Sequence, residues 1–166
     1  MKEIERIFSH VINAVTSISG NAAIIFLVAA VLLINVSVVT RYALSAPLHF
    51  VEEISGYFVV AIVFLGLADT LRAERHIRID VVFIHLSKKI QNTLEILSFI
   101  LGLIFTGVFA WLTWQTVLDS YQIGMTSEGL WEVPLYLPQL LMPIGLVILI
   151  LQILAYSIRK MHSFRS

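Results

Sequence analysis

Few residues in this sequence are of a type that does chemistry, and they gather in three places. These are the adjacent Glu52 and Glu53, the lone Asp69, and the run RHIRIDVV from Arg75 to Val82. Two neighbouring carboxylates suggest a shared-proton pair. Successive helix positions point about 100° apart, however, so Glu52 and Glu53 cannot form one. Just ahead of an apolar run they fit a helix N-terminus, where the macrodipole favours acids, and they fit equally a contact with Arg41 or with a partner. Asp69 is the acid inside an apolar run, and an acid within a membrane span is a candidate ion site. It follows Glu53 by about 24 Å of helix, close to the far edge, and Arg72 three residues on shares its face, so a local ion pair is the simplest reading. Haem in a membrane bundle needs facing histidines inside the spans, but His10, His49, His76, His85 and His162 all lie outside the apolar runs. With no cysteine, a thiolate metal site, a cysteine nucleophile and a disulfide framework are excluded. No phosphate-binding loop, nucleophile elbow or metal-ligand spacing occurs. The residues point to no enzyme and to no cofactor.

The elements that must position these groups are apolar. The chain has 166 residues, 58% hydrophobic and 13% charged, where a soluble domain carries about 25% charged residues. Formal net charge is zero, which gives nucleic acid nothing to bind. A bilayer core requires about 20 apolar residues in a helix, and backbone polar groups in lipid must be satisfied within the segment. Four stretches meet this, at about 21–40, 54–71, 93–118 and 135–158. The expected fold is a single all-α integral membrane domain over 1–166, with four transmembrane helices and amphipathic interfacial helices.

Orientation follows from the cations. Of the 11 Lys and Arg residues, all but Arg41 fall in the N-terminal segment, between spans two and three, or after span four. The segment from Asp119 to Val133 has no Lys or Arg and carries Asp119, Glu128 and Glu132. Both termini are therefore expected in the cytoplasm, and the loop at about 119–134 on the outer side of the membrane. Trp111, Trp114, Tyr121, Trp131 and Tyr136 form an aromatic belt on that side. Pro134 and Pro138 suit a helix start, and Pro143 before Gly145 is a potential kink.

Two further segments are amphipathic. Over residues 1–17, Ile4, Ile7, Phe8, Val11, Ile12 and Val15 share a face opposite Lys2, Glu3, Glu5, Arg6, Ser9 and Asn13, as in a helix lying in the headgroup plane; an extension of span one is the alternative. Within the cytoplasmic segment at about 72–90, Ile79, Val82, Phe83, Leu86 and Ile90 recur at helical spacing, giving an interfacial helix at about 79–90. Headgroup attraction accounts for Lys88 and Lys89. It accounts less well for Arg75, His76, Arg78 and Asp80, since a lipid anchor needs no acid, and the mixed signs suit a docking surface.

Several of these pieces resemble one family. Arg41 and Tyr42, the stretch PLHFVEE (Pro47–Glu53), FLGLA (Phe64–Ala68) before RHIRID (Arg75–Asp80), and Ser127–Pro134 followed by LPQLLMPIG (Leu137–Gly145) are similar to the DctQ-type small membrane subunit of tripartite ATP-independent periplasmic (TRAP) transporters. His49 departs from the tryptophan often found before the acidic pair. The resemblance implies a three-part importer of the bacterial inner membrane. In it a periplasmic binding protein captures an organic anion, typically a carboxylate such as a dicarboxylate, keto acid or sialic acid. A large membrane subunit couples uptake to an ion gradient, and the small subunit is a scaffold. On this reading Arg41, Glu52, Glu53, Asp69, Arg75, His76, Arg78 and Asp80 are subunit-interface candidates. Glu128, Trp131 and Glu132 are candidates for touching the binding protein. The residues themselves agree on one point: spans one, three and four have uncharged middles, unlike a self-sufficient secondary transporter. Two alternatives stay open, an anchor subunit of a membrane enzyme complex and a small dimeric four-span exporter.

Overall fold

The computed structural model describes residues 2–48, 50–73, 87–129 and 131–163, with the backbone alone at 2–8, 88, 89, 92, 95 and 159–163. The described elements are α1 (Lys2–Ala43), α2 (Phe50–Arg72), α3 (Lys88–Ile123), α4 (Tyr136–Gln139) and α5 (Leu141–Ser163). Among the described residues, four stretches are long and apolar enough to cross a membrane: Ser9–Ala43, Phe50–Arg72, Ile96–Ile123 and Tyr136–Ile158. Extended pairing among the described residues is limited to an isolated bridge between Thr126 and Pro134, in the segment between the last two of these stretches. The all-α, four-span architecture expected from hydropathy is the one observed.

Residues 1–17 differ from the expected separate helix. From Lys2 onward they are continuous with span one in a single 42-residue helix, about 63 Å long. The expected apolar face is divided between the bundle and the surface. Ile12 and Thr16 are buried inside the bundle, whereas Val11 and Val15 are exposed. Apolar side chains tolerate a lipid-facing position, so inside a membrane bundle it is the polar ones that need protein partners.

Four small residues at seven-residue intervals, Thr16, Ala23, Ala30 and Ser37, form the buried side of α1. They let α2 approach closely, and α2 answers with buried Ala61, Leu65 and Ala68. Ala23, Ala61 and Leu65 form the core, with Ala22, Phe26 and Leu141 packed around it. The pairing of α1 with α2 is the most extensive, followed by α2 with α5, while α3 packs mainly on α5. At the α2–α5 crossing, a Cβ on Gly145 would collide with the Phe64 carbonyl oxygen. Only glycine allows that approach.

The ends of the helices follow local chemistry. Gly124, at φ +68°, terminates α3, and the Met125 amide reaches back to the Ser120 carbonyl at 2.9 Å, closing the last turn. Pro143 falls in the first turn of α5, where its missing amide costs no helix bond, and the helix breaks at Leu140 between α4 and α5. Tyr121 and Tyr136 meet edge to face at 5.3 Å across this corner.

Candidate functional site

Two polar constellations stand at opposite ends of the bundle. The first joins the start of α2 to the segment between α3 and α4. That segment folds on itself: the Ser127 amide donates to the Val133 carbonyl at 2.9 Å, the Val133 amide to the Ser127 hydroxyl at 3.0 Å, and the Leu135 amide to the Met125 carbonyl at 3.0 Å. The resulting hairpin rests on Glu53. Ser127 hydrogen-bonds to the Glu53 carboxylate, the Tyr57 hydroxyl donates to it at 2.7 Å, and one carboxylate oxygen lies where a Cβ on Gly129 would stand. Beside it Phe50 stacks on Trp131 at 5.2 Å with 12° between the rings.

Glu52 and Glu53 therefore have separate tasks, as their 100° offset requires. Glu53 turns towards the hairpin, and Glu52 pairs with Arg41 at 3.3 Å. Both members of that pair are largely exposed, so it contributes at most about 1 kcal/mol and acts more as a surface feature than as a fastener. Glu128, Trp131 and Glu132 all present themselves to the outside. Glu132 adopts a left-handed φ of +43°, an unusual conformation for a residue with a side chain. The hairpin thus leaves three of the sequence candidates exposed beside the segment that contacts Glu53.

The second constellation lies at the other end and includes residues whose role the sequence did not reveal. Asp69 and Arg72 form the expected local pair at 2.7 Å. Arg72 also donates to the Asn13 carbonyl at 3.2 Å, tying α2 to α1. The Asp69 carboxyl group packs on the backbone of Gly20, where a Cβ would approach its Cγ to 2.6 Å. Nearby, Thr16 donates to Gln152 at 3.0 Å, Gln152 reaches the Asn13 side chain at 3.5 Å, and Ser19 donates to the Leu65 carbonyl at 2.8 Å. Gln152 and Thr16 are wholly buried. A polar layer of Asn13, Thr16, Ser19, Asp69, Arg72 and Gln152 thus links α1, α2 and α5. Such bonds add modest stability, about 0.6 kcal/mol each in membrane bundles, and they also fix the rotation of each helix. The signal in the sequence was Gln152 itself, an amide among the aliphatic residues of α5.

The two ends place Arg41, Glu52, Glu53, Glu128, Trp131 and Glu132 together and put Asp69 far from them. Arg75, His76, Arg78, Asp80 and most of the expected interfacial helix at 79–90 lie outside the described residues, as does His49. Among the described residues no group of three or more His, Asp or Glu side chains is arranged to hold a metal. Both constellations join structural elements and display side chains; neither assembles a nucleophile with a base.

Comparison with known proteins agrees. Residues 30–162 match the family described as tripartite ATP-independent periplasmic transporters, DctQ component. The ectoine TRAP transporter small permease protein TeaB of Halomonas elongata is 26% identical over 127 residues, covering 76% of this chain and 65% of the relative. The isethionate TRAP transporter permease protein DctMQ of Oleidesulfovibrio alaskensis is 24% identical over 145 residues, 86% of this chain and 23% of the relative. The chain thus spans just under two thirds of one relative's length and about a quarter of the other's. No solved structure matches it. Four membrane-spanning helices and a family match over most of their length lead to one conclusion: the chain belongs to the DctQ components of tripartite ATP-independent periplasmic transporters, small permease subunits of the bacterial inner membrane and not enzymes.

Proposed function

We propose that this chain is the fixed membrane scaffold of a three-part importer. It holds a large ion-coupled membrane subunit and presents an outer surface to a periplasmic binding protein. The observation that carries this reading is the hairpin held against Glu53, which presents Glu128, Trp131 and Glu132 at the surface. A docking surface gains affinity from such preorganisation, because less side-chain and loop freedom is lost on binding. The hairpin end faces the periplasm and both termini face the cytoplasm, as the distribution of cations favours. Asp69 has its charge met by Arg72, which favours a fastening role over ion coupling. The transported solute is a small organic molecule bearing an anionic group. Isethionate and ectoine in the names of the two relatives favour a class wider than the dicarboxylates, keto acids and sialic acids that resemblance alone implies.

The absence of cysteine gives a clean test. In the assembled transporter, Glu128→Cys is expected to react with a membrane-impermeant maleimide from the periplasmic side, and excess binding protein is expected to slow that reaction at least about fivefold. Failure to label from that side would reverse the topology. Labelling indifferent to the binding protein would remove the docking surface.

A further inference from the structure

Glu132 combines a costly backbone conformation with a side chain that does nothing inside the molecule. Its φ of +43° lies in the left-handed region, which glycine enters freely and a residue with a Cβ enters at a cost. The turn imposes that conformation. The Glu132 amide donates to the Gly129 carbonyl at 3.3 Å, and the next amide, of Val133, donates to the Ser127 hydroxyl at 3.0 Å. Nothing on the side chain offsets the cost: it is exposed, and its carboxylate makes no hydrogen bond or ion pair among the described residues. Ser45 has a similar φ of +52°. There the chain is leaving α1, where a left-handed residue is a common way to end a helix, and the Ser45 hydroxyl carries no charge to be met. Backbone strain left without an internal reason gathers at functional sites.

The residue before it points the same way. Trp131 lies flat on Phe50, with ring centroids 5.2 Å apart and 12° between the planes, so one face of the indole is covered. With the residue 62% exposed, the opposite face is open. Trp111 and Trp114 are also exposed, but they lie within the apolar run of α3, as interfacial anchors do. An open indole face next to an unpaired carboxylate suits a guanidinium, which stacks on the ring while the acid meets its charge. This chain has no cation to spare for it. Arg41 is the one Lys or Arg between Arg6 and Arg72, it pairs with Glu52, and no Lys or Arg lies between Lys89 and Arg159.

We infer that the open face of Trp131 and the carboxylate of Glu132 form a socket for an arginine side chain of the periplasmic binding protein. The inference rests on the docking reading proposed above and names the chemistry of the group that docks. A soluble protein is the source: the socket lies on the hairpin, outside the four apolar runs, and phospholipid headgroups offer an ammonium where a stacking site favours the planar guanidinium.

The test uses the whole transporter in lipid nanodiscs with purified binding protein. Glu132→Gly frees the backbone and removes the carboxylate. The unfolding temperature is expected to hold or rise, while affinity for the binding protein falls about tenfold. Glu132→Gln keeps the strain and loses the charge; it should fall as far, and both variants should respond less to added salt than the parent. Trp131→Leu should weaken binding at least about fivefold, and Trp131→Tyr by less. In a Glu132→Arg background, reversing one surface arginine of the binding protein to glutamate should restore binding. Parent-like affinity from both Glu132 variants, or restoration by no arginine, would overturn the socket. So would a fall in unfolding temperature with Glu132→Gly, or a Trp131→Leu variant that loses only bound phospholipid. The parent separates the two readings. If it binds the protein and the variants bind equally well, the socket alone falls; if the parent does not bind, the docking reading falls with it.

Discussion

The carboxylate of Glu53 occupies the space that a side chain at Gly129 would need. One acid at the start of α2 therefore fixes the hairpin only because the residue above it has no Cβ. Gly129→Val is expected to lift the hairpin, at a cost of about 1–3 kcal/mol for the forced rearrangement. Binding-protein affinity for the purified complex should fall about tenfold while the four spans stay intact. Glu53→Gln, which keeps the size and one acceptor oxygen, should lose less. Affinity titrations of the two variants against the parent give the comparison.

Gln152→Leu leaves the Thr16 hydroxyl without its partner and removes the contact to Asn13. In membrane bundles such bonds are worth about 0.6 kcal/mol on average and at most about 1.7. A small fall in thermal stability in mild detergent is expected, with normal membrane insertion. A fall as large as that of Gly145→Leu would mean that the polar layer carries far more of the fold than its bonds allow.

Gly145→Leu drives a side chain into the Phe64 carbonyl at the α2–α5 crossing. Backbone cannot rotate away as a side chain can, so the helices must separate. The expected loss is about 3 kcal/mol, read as a much lower unfolding temperature of the detergent-solubilised chain and reduced accumulation in the membrane.

The spans and the Asp69–Arg72 pair were legible because hydropathy and i,i+3 spacing are local properties. The division of labour between Glu52 and Glu53 was legible only halfway: their 100° separation required different surroundings, but not which acid met Arg41. The contacts Thr16–Gln152, Gly145–Phe64 and Glu53–Gly129 were not legible. Each depends on how helices are rotated against one another, and in lipid both the inner and the outer faces of a span are apolar, so hydropathy does not mark the buried side. The same ambiguity put Val11, Ile12 and Val15 on one expected face, of which Ile12 is buried beside Thr16 while Val11 and Val15 are exposed.

Asp69→Asn separates fastening from ion coupling. With Arg72 still bonded to the Asn13 carbonyl, uptake by the whole transporter is expected to stay within about twofold and to keep its ion dependence. Abolished uptake in a stably assembled complex would return Asp69 to the transport site.

The mixed-sign cluster predicts a different outcome. Charge reversal at Arg75 or Asp80 is expected to reduce uptake or assembly at least about fivefold without loss of the four spans, as judged by membrane accumulation and protease protection. Normal uptake from both reversals would remove the docking role of that segment.

The most direct measurement is a tagged pull-down of this chain from native membranes in mild detergent, with mass spectrometry of what accompanies it. A membrane scaffold predicts stoichiometric recovery of a large polytopic subunit. Recovery alone or as a self-dimer would contradict that and point to a small exporter, and recovery with a soluble redox enzyme would point to an anchor.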